Sequence, residues 1–458
     1  MEPSHSSSPK NQFYNLPSNN AEFWKLIEEK LSFPIPDLKT LTEIINSFTS
    51  IIFPHVSLYE KWDSITTALS EISSKYPNFK FFDEILPKIQ KACLEMPDLF
   101  KETQQKINIL PQRENSELKL TGKQIRCLLC HAFFNTLNSF LAQNPNHDPK
   151  QSRFGNITFY QLYGRPHQES IERLKCLFYY FMTVFTEEPK EEVIFLRRVL
   201  NEFPDWKNDE TLITREVNVS DLTKIEDSDA FLHVDFANKN LQIHNNIPSC
   251  TQEEVLFSIR PALYITLLIS ETLKKNEAIF MLGCKRYCNY TGYLHTFKFA
   301  GPYEGINDEK KTSGLIAIDS VVNWGNLQFE PKYVDRDLNK AFLGFCGIEK
   351  VIEEYVKGKE ISLDLKKIST GNWGCGAFGG DYVLKFVQQI MVANKIDRNL
   401  DYSTFGDKEK CMILREMDKK IKEKKLRIKD LYEILMDFVK ELKKCENLED
   451  YLRTRLKN

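Results

Sequence analysis

Apolar residues recur at three- and four-residue spacing from about residue 21 to 215. Phe23, Leu26, Ile27 and Leu31 form one stripe, and Leu86, Ile89, Cys93 and Met96 another. Ile125, Leu128, Leu129, Ala132 and Phe133, then Ile171, Leu174, Leu177 and Phe178, continue the pattern. Stripes of this period predict helices with one buried face. Pro and Asn clusters such as NPNHDPK at 144–150 separate them. After about residue 216 the period shortens. FLHVDFA (231–237), AIFMLG (278–283), HTFKFAG (295–301) and LIAIDS (315–320) read as strands, alternating with helical stretches at 253–260 and 382–394. This alternation predicts an α/β layer in which helices flank a mixed sheet. The expected organisation is therefore an all-helical region over 21–215 and an α/β region over 216–458.

The last fifty residues return to helix and are Lys-rich. Residues 415–429 hold eight basic and three acidic side chains, a net of +5. A solvated helix face accounts for such a run, and a docking face for an acidic partner is the alternative. Residues 1–20 contain five Ser, three Pro and four Asn. So little apolar surface cannot offset the entropy of ordering, and a disordered tail is expected unless a protein assembly holds it down.

Composition narrows the classes. Lys+Arg number 62 against 64 Asp+Glu, a net charge of -2 over 458 residues. That excludes a globally basic nucleic-acid binder, and no direct DNA binding is expected. The longest apolar block, ALYITLLI at 262–269, is too short to span a bilayer. The first residues lack the charged-then-apolar pattern of a signal peptide. Eleven cysteines, an odd number scattered through a long chain, read as reduced thiols. An intracellular protein of cytoplasm, cytoskeleton or nucleus is expected.

Several motifs could carry chemistry. Cys127-Leu128-Leu129-Cys130-His131 has the spacing for haem attachment but lies within an apolar helical stripe, so a core helix is the better reading. Gly374-Cys375-Gly376-Ala377-Phe378-Gly379 satisfies G-x-G-x-x-G far from any first strand-to-helix turn. Its glycines still permit a close backbone approach, and the helix starting near Asp381 offers free N–H groups, so a phosphate cradle is expected rather than a dinucleotide fold. Gln252-Glu253-Glu254 opens a helix, where two carboxylates suit the dipole. Adjacent helical residues point about 100° apart, so these two cannot form a facing glycosidase pair. One would act as acid/base and the other would position. Tyr290-Thr291-Gly292-Tyr293 sets two aromatics around a glycine. Asp235-Phe236-Ala237-Asn238 ends a strand with a carboxylate and an amide, a place where α/β folds meet ligands.

Taken together these segments resemble the poly(ADP-ribose) glycohydrolase family. The matches run in order: Ile225-Glu226-Asp227, VDFAN (234–238), QEE (252–254), NYTGY (289–293), AIDS (317–320), TGNWGCGAFGGD (370–381) and TFGD (404–407). The likeness covers roughly residues 80 to 445. It implies a macrodomain-like α/β core behind a helical accessory region, and hydrolysis of the ribose–ribose O-glycosidic bonds of poly(ADP-ribose) with no metal or cofactor. By position, Glu254 would protonate the leaving ribose hydroxyl and then activate water. Glu253 and Asn238, with Asp235 on the same strand end, would hold the terminal riboses. Ile225, Glu226 and Gln252 would line the adenine pocket, with Tyr293 and Phe405 beside the ring. Phe378 and the glycines around it, Gly376 and Gly379, would pack on the distal ribose and diphosphate.

One departure stands out. The family carries three consecutive glycines between DFAN and QEE, in a loop that hugs the diphosphate. This chain has Gln242, Ile243 and His244 there. β-Branched Ile243 resists positive φ, and Pro248 removes a further N–H. The implied expectation is an impaired glycohydrolase. The alternative is an inactive family member serving as an interaction component of a larger assembly, with ADP-ribose or its polymer as candidate ligand.

Overall fold

The computed structural model describes residues 13–138, 143, 154–164, 166–242, 249–306, 308–324, 326–441 and 447–456. Its strands are β1 (Phe13–Asn15), β2 (Lys106–Asn108), β3 (Ser116–Thr121), β4 (Glu192–Val199), β5 (Val217–Ser220) and β6 (Ala230–Phe236). They continue as β7 (Glu277–Leu282), β8 (Cys288–Thr291), β9 (Lys298–Pro302), β10 (Gly314–Ile318), β11 (Asp364–Gly371) and β12 (Asn399–Ser403). Eight of these form one mixed sheet in the order β3-β4-β7-β10-β6-β11-β12-β5. β10, β6, β11, β12 and β5 run parallel, while β7, β4 and β3 add on antiparallel.

Strands buried on both faces should be near-continuous apolar runs; β10 (GLIAI) is one, and β7 (EAIFML) is apolar after Glu277, which is buried and paired with Arg197. Because side chains alternate along a strand, each strand feeds two cores. Ile279, Met281, Leu315 and Ala317 pack with the N-terminal helices. Ala278, Phe280, Leu282, Ile316 and Ile318 pack with the C-terminal ones. The sheet is thus a shared wall, and the α/β expectation holds.

Two details correct the sequence reading. Residues 21–215 are mostly helical, but they also contribute β3 and β4 to the sheet. β3 shows its period of two, burying Leu118 and Leu120 and exposing Glu117 and Lys119. The expected tail also shortens. β1 pairs with β2, Tyr14 is buried, and its hydroxyl donates to the Asn138 carbonyl at 2.7 Å. Residues 13–20 are therefore packed against the chain itself, and residues 1–12 lie outside the described residues.

Cys127, Cys130 and His131 are buried in the helix Gly122–Phe133. The His131 ring sits 2.7 Å from Thr136 Oγ1 and 3.0 Å from the Cys93 carbonyl, and burial lowers its pKa to about 4. It is a neutral core histidine. In the helix Lys408–Glu423, Lys419, Lys420 and Lys422 pair with Glu423, Glu416 and Asp418, so much of the basic run is matched within the chain. Among the described residues no helix is long and apolar enough to cross a membrane.

Candidate active site

The five parallel strands end on the same side, and the loops that leave them meet. Ligand clefts in open α/β sheets form at this edge, where several backbones turn away together. The loop after β5 brings Ile225 and Glu226, and that after β6 brings Ala237 and Asn238. The loops after β10, β11 and β12 bring Ser320, residues 372–378, and Thr404, Phe405 and Asp407. The helix Gln252–Ile259 closes the wall with Gln252, Glu253 and Glu254. The enclosed cleft measures about 370 Å³.

Ten residues singled out in the sequence converge on it: Ile225, Glu226, Asn238, Gln252, Glu253, Glu254, Tyr293, Gly376, Phe378 and Phe405. The Tyr293 and Phe405 rings meet edge to face with centroids 5.3 Å apart. The turn Ile225–Asp227 is held by Ser369 Oγ, which donates to the Ile225 carbonyl at 2.8 Å. Buried Arg286 donates to the Glu226 carbonyl at 3.3 Å and to Asp227 Oδ1 at 2.6 Å.

The glycine-rich loop is close-packed. At Gly374 φ is +75°, and an added Cβ would lie 2.0 Å from Ser320 Oγ, so only glycine fits. Asn323 N–H donates to the Phe378 carbonyl at 2.8 Å and its amide to the Gly379 carbonyl at 3.1 Å, clasping the loop. Gly379 lies beside the cleft wall rather than on it.

The carboxyls form a tight group. Glu254 occupies the third position of a capping box, accepting from Thr251 N–H at 2.8 Å and from the Thr251 hydroxyl on Oε2. Its Oε1 has no hydrogen-bond partner among the described residues. Glu253 accepts from Gln242 N–H at 2.7 Å on Oε1 and from Asn238 N–H at 3.4 Å on Oε2. Burial, reinforced by Asp235 and Glu254, pushes the Glu253 carboxyl well above the usual range. Burial and then Glu254 do the same to Asp235.

One expectation needs correction. Asp235 is fully buried behind the wall and does not reach the cleft, because it points inward on β6. It acts on the site through its proximity to the two glutamates. The Gln252 amide is already used: its Oε1 accepts from Phe236 N–H at 2.8 Å and its Nε2 donates to the Val234 carbonyl at 3.0 Å. It pins the helix to β6 while Gln252 lines the cleft. Gln242 keeps a glycine-like backbone, with φ +51°, and its buried amide has no hydrogen-bond partner among the described residues. Ile243 and His244 lie outside the described residues.

Sequence reasoning passed over Thr251, Arg173 and Lys410. Thr251 was legible as the T-x-x-E capping box. Arg173, from the helix Gln168–Val184, is buried beneath the Ser249–Glu254 turn. It donates to the Ser249 carbonyl at 3.4 Å and the Tyr264 hydroxyl at 3.3 Å, with Glu254 in its field. Only folding brings it there. Among the described residues Lys410 is the one Lys or Arg lining the cleft.

Two family models match the chain. The description "Poly (ADP-ribose) glycohydrolase, Macro domain fold" covers residues 203–412, and that of the family's helical domain covers 74–198. Probable poly(ADP-ribose) glycohydrolase 2 of Arabidopsis thaliana is 26% identical over 419 residues, 80% of each chain. Poly(ADP-ribose) glycohydrolase 1 of Caenorhabditis elegans is 30% identical over 355 residues, covering 72% of this chain and 42% of that protein. The two domain matches follow one another across the sheet just described and place the converged carboxyls inside the second, so the chain belongs to the poly(ADP-ribose) glycohydrolase family.

Proposed function

We propose that the chain binds the terminal ADP-ribose unit of poly(ADP-ribose) in this cleft and hydrolyses its ribose–ribose bond through Glu254. The observation that carries the reading is the state of the Glu254 carboxyl. Thr251 holds Oε2, while Oε1, on a cleft-lining residue, has no hydrogen-bond partner among the described residues. A fixed carboxyl with one oxygen to spare suits general acid/base work, first giving a proton to the leaving ribose oxygen and then taking one from water. Glu253 is occupied by two backbone N–H groups and positions rather than reacts. A neutral Glu253 keeps an O–H that a ribose hydroxyl can accept from.

The reaction runs below the rate that a glycine loop would allow. Gln242 follows a glycine-like path, but its N–H is spent on Glu253. Three side chains stand where the family has none. Lost preorganised donors and a small misplacement of the ribose cost on the order of 10²-fold. The test is release of ADP-ribose from the polymer. Release is expected from the wild type, to fall at least 100-fold in Glu254→Gln. It should rise about 10- to 100-fold when Gln242, Ile243 and His244 are together replaced by glycine. Wild-type release that survives Glu254→Gln would overturn the assignment of the acid. No release from either wild type or the glycine variant would favour a non-catalytic family member.

A further inference from the structure

Four of the five tryptophans, Trp24, Trp62, Trp206 and Trp373, are buried. The fifth, Trp324, is 74% exposed. It follows Asn323, whose backbone and side chain clasp Phe378 and Gly379, and it lies four residues beyond cleft-lining Ser320. Val322, 40% exposed, shares the loop.

This loop is not loose chain. Val321 N–H donates to both oxygens of buried Asp337 at 3.2 and 3.3 Å. Buried Gln328, just past the loop, accepts from Asp381 N–H at 2.7 Å. Such anchoring holds a large aromatic in water at a fixed place, when collapse onto the surface would remove apolar area from solvent. A preset, solvent-facing indole is the arrangement by which proteins stack a nucleobase.

We propose that Trp324 is the stacking platform for the adenine of the ADP-ribose unit on the leaving side of the scissile bond. The inference rests on the proposed reading of the cleft. A cleft of about 370 Å³ has room for a single ADP-ribose unit, so the rest of a polymer must leave over the rim. The departing ribose is the adenosine ribose of the next unit, which ties its adenine closely to the bond being cut. The Phe378 rim is where the family likeness puts the distal ribose, and Trp324 is an exposed aromatic next in sequence to Asn323, which bonds that rim. Stacking requires only a π-face, so one tryptophan suffices.

The experiment compares full-length chains that carry Glu254→Gln, which retains a capping side chain and keeps polymer intact, with or without Trp324→Ala or Trp324→Phe. Affinity is measured for free ADP-ribose and for a linear oligomer of several ADP-ribose units. Trp324→Ala should weaken the oligomer roughly 5- to 100-fold. It should leave ADP-ribose within about twofold, and Trp324→Phe should restore most of the loss. In the chain with Trp324 intact, the red-shifted emission of the exposed indole should be quenched by oligomer and not by ADP-ribose. Oligomer affinity that survives Trp324→Ala, or an equal loss for both ligands, would overturn the platform alone and point to a protein contact or a folding role. A parent chain that binds neither ligand would overturn the cleft reading and the platform with it.

Discussion

Gln242 holds a left-handed φ of +51°, a conformation that costs a non-glycine residue about 1–2 kcal/mol. Its amide is buried with no hydrogen-bond partner among the described residues. Gln242→Gly should therefore raise stability by about 1 kcal/mol, net of the entropy that glycine adds to the unfolded chain, read as a later denaturant midpoint. An unchanged or earlier midpoint would mean that the side chain packs better than its lost hydrogen bonds suggest. Asp235 carries a different strain. Its raised pKa keeps it protonated in the fold at pH values where the unfolded chain has ionised it. The stability it contributes is present below the ordinary carboxylate value near pH 4. It is lost as pH rises toward the folded value. Asp235→Asn removes that linkage, so the difference between variant and wild type should widen in the variant's favour by up to about 1.4 kcal/mol per pH unit above pH 4. Parallel melting curves from pH 4 to 8 would sink this. Glu253, Glu254, Tyr293 and Phe378 were legible in the sequence because they sit in contiguous motifs at strand and helix ends. The burial of Asp235 and the engagement of the Gln252 amide were not, because side-chain orientation is decided by neighbours far away in the chain.

Beneath the glycine-rich loop, the helices Pro331–Cys346 and Tyr382–Lys395 are joined by charge rather than by apolar packing alone. Asp337 pairs with Lys385 and, at 2.6 Å, with Arg336; Arg336 also pairs with Asp319, which Lys340 reaches at 2.8 Å. Burial would raise the Asp319 carboxyl, but Lys340 and Arg336 hold it below the ordinary range. Asp337 additionally anchors Val321, so this network fixes the loop that clasps Phe378. Asp337→Ala would strand buried Lys385, while Arg336 keeps Asp319, and a loss of about 3–5 kcal/mol is expected in urea unfolding. A loss below 1 kcal/mol would show that water readily solvates the pair. Periodicity located the second of these helices and not the first. It gave no sign that Lys340, Lys385 and Asp337 face inward, since charged residues on a helix ordinarily mark its solvent side. The strands β3 and β4 were missed for a related reason: the helical stripes around them dominated the texture, although SELKLT alternates and EVIFLRRV is a β-type run.

The boundary between the two family matches falls at the end of β4, inside the eight-stranded sheet. Removing the first would bare one edge of β7 and the face carrying Ile279, Met281, Leu315 and Ala317, all fully buried in the whole chain. Residues 203–458 expressed alone should aggregate or bind a hydrophobic dye, and full-length protein should unfold in one transition by circular dichroism and tryptophan emission alike. A soluble, cooperatively folding fragment would refute this unity. The helical part also delivers Arg173 beneath the Ser249–Glu254 turn, so the candidate site is finished by both parts together. A last consequence follows from Lys410 being the one Lys or Arg on the cleft wall among the described residues. A groove that held a polyanion along its length would shed many counterions, and its affinity would fall steeply with salt. One lysine releases about one ion, so affinity for ADP-ribose should show a log–log salt slope near -1. Under the proposed reading of the cleft such a protein titrates termini: its occupancy should follow the number of polymer ends in solution, and long and short chains should compete for it mole for mole rather than mass for mass.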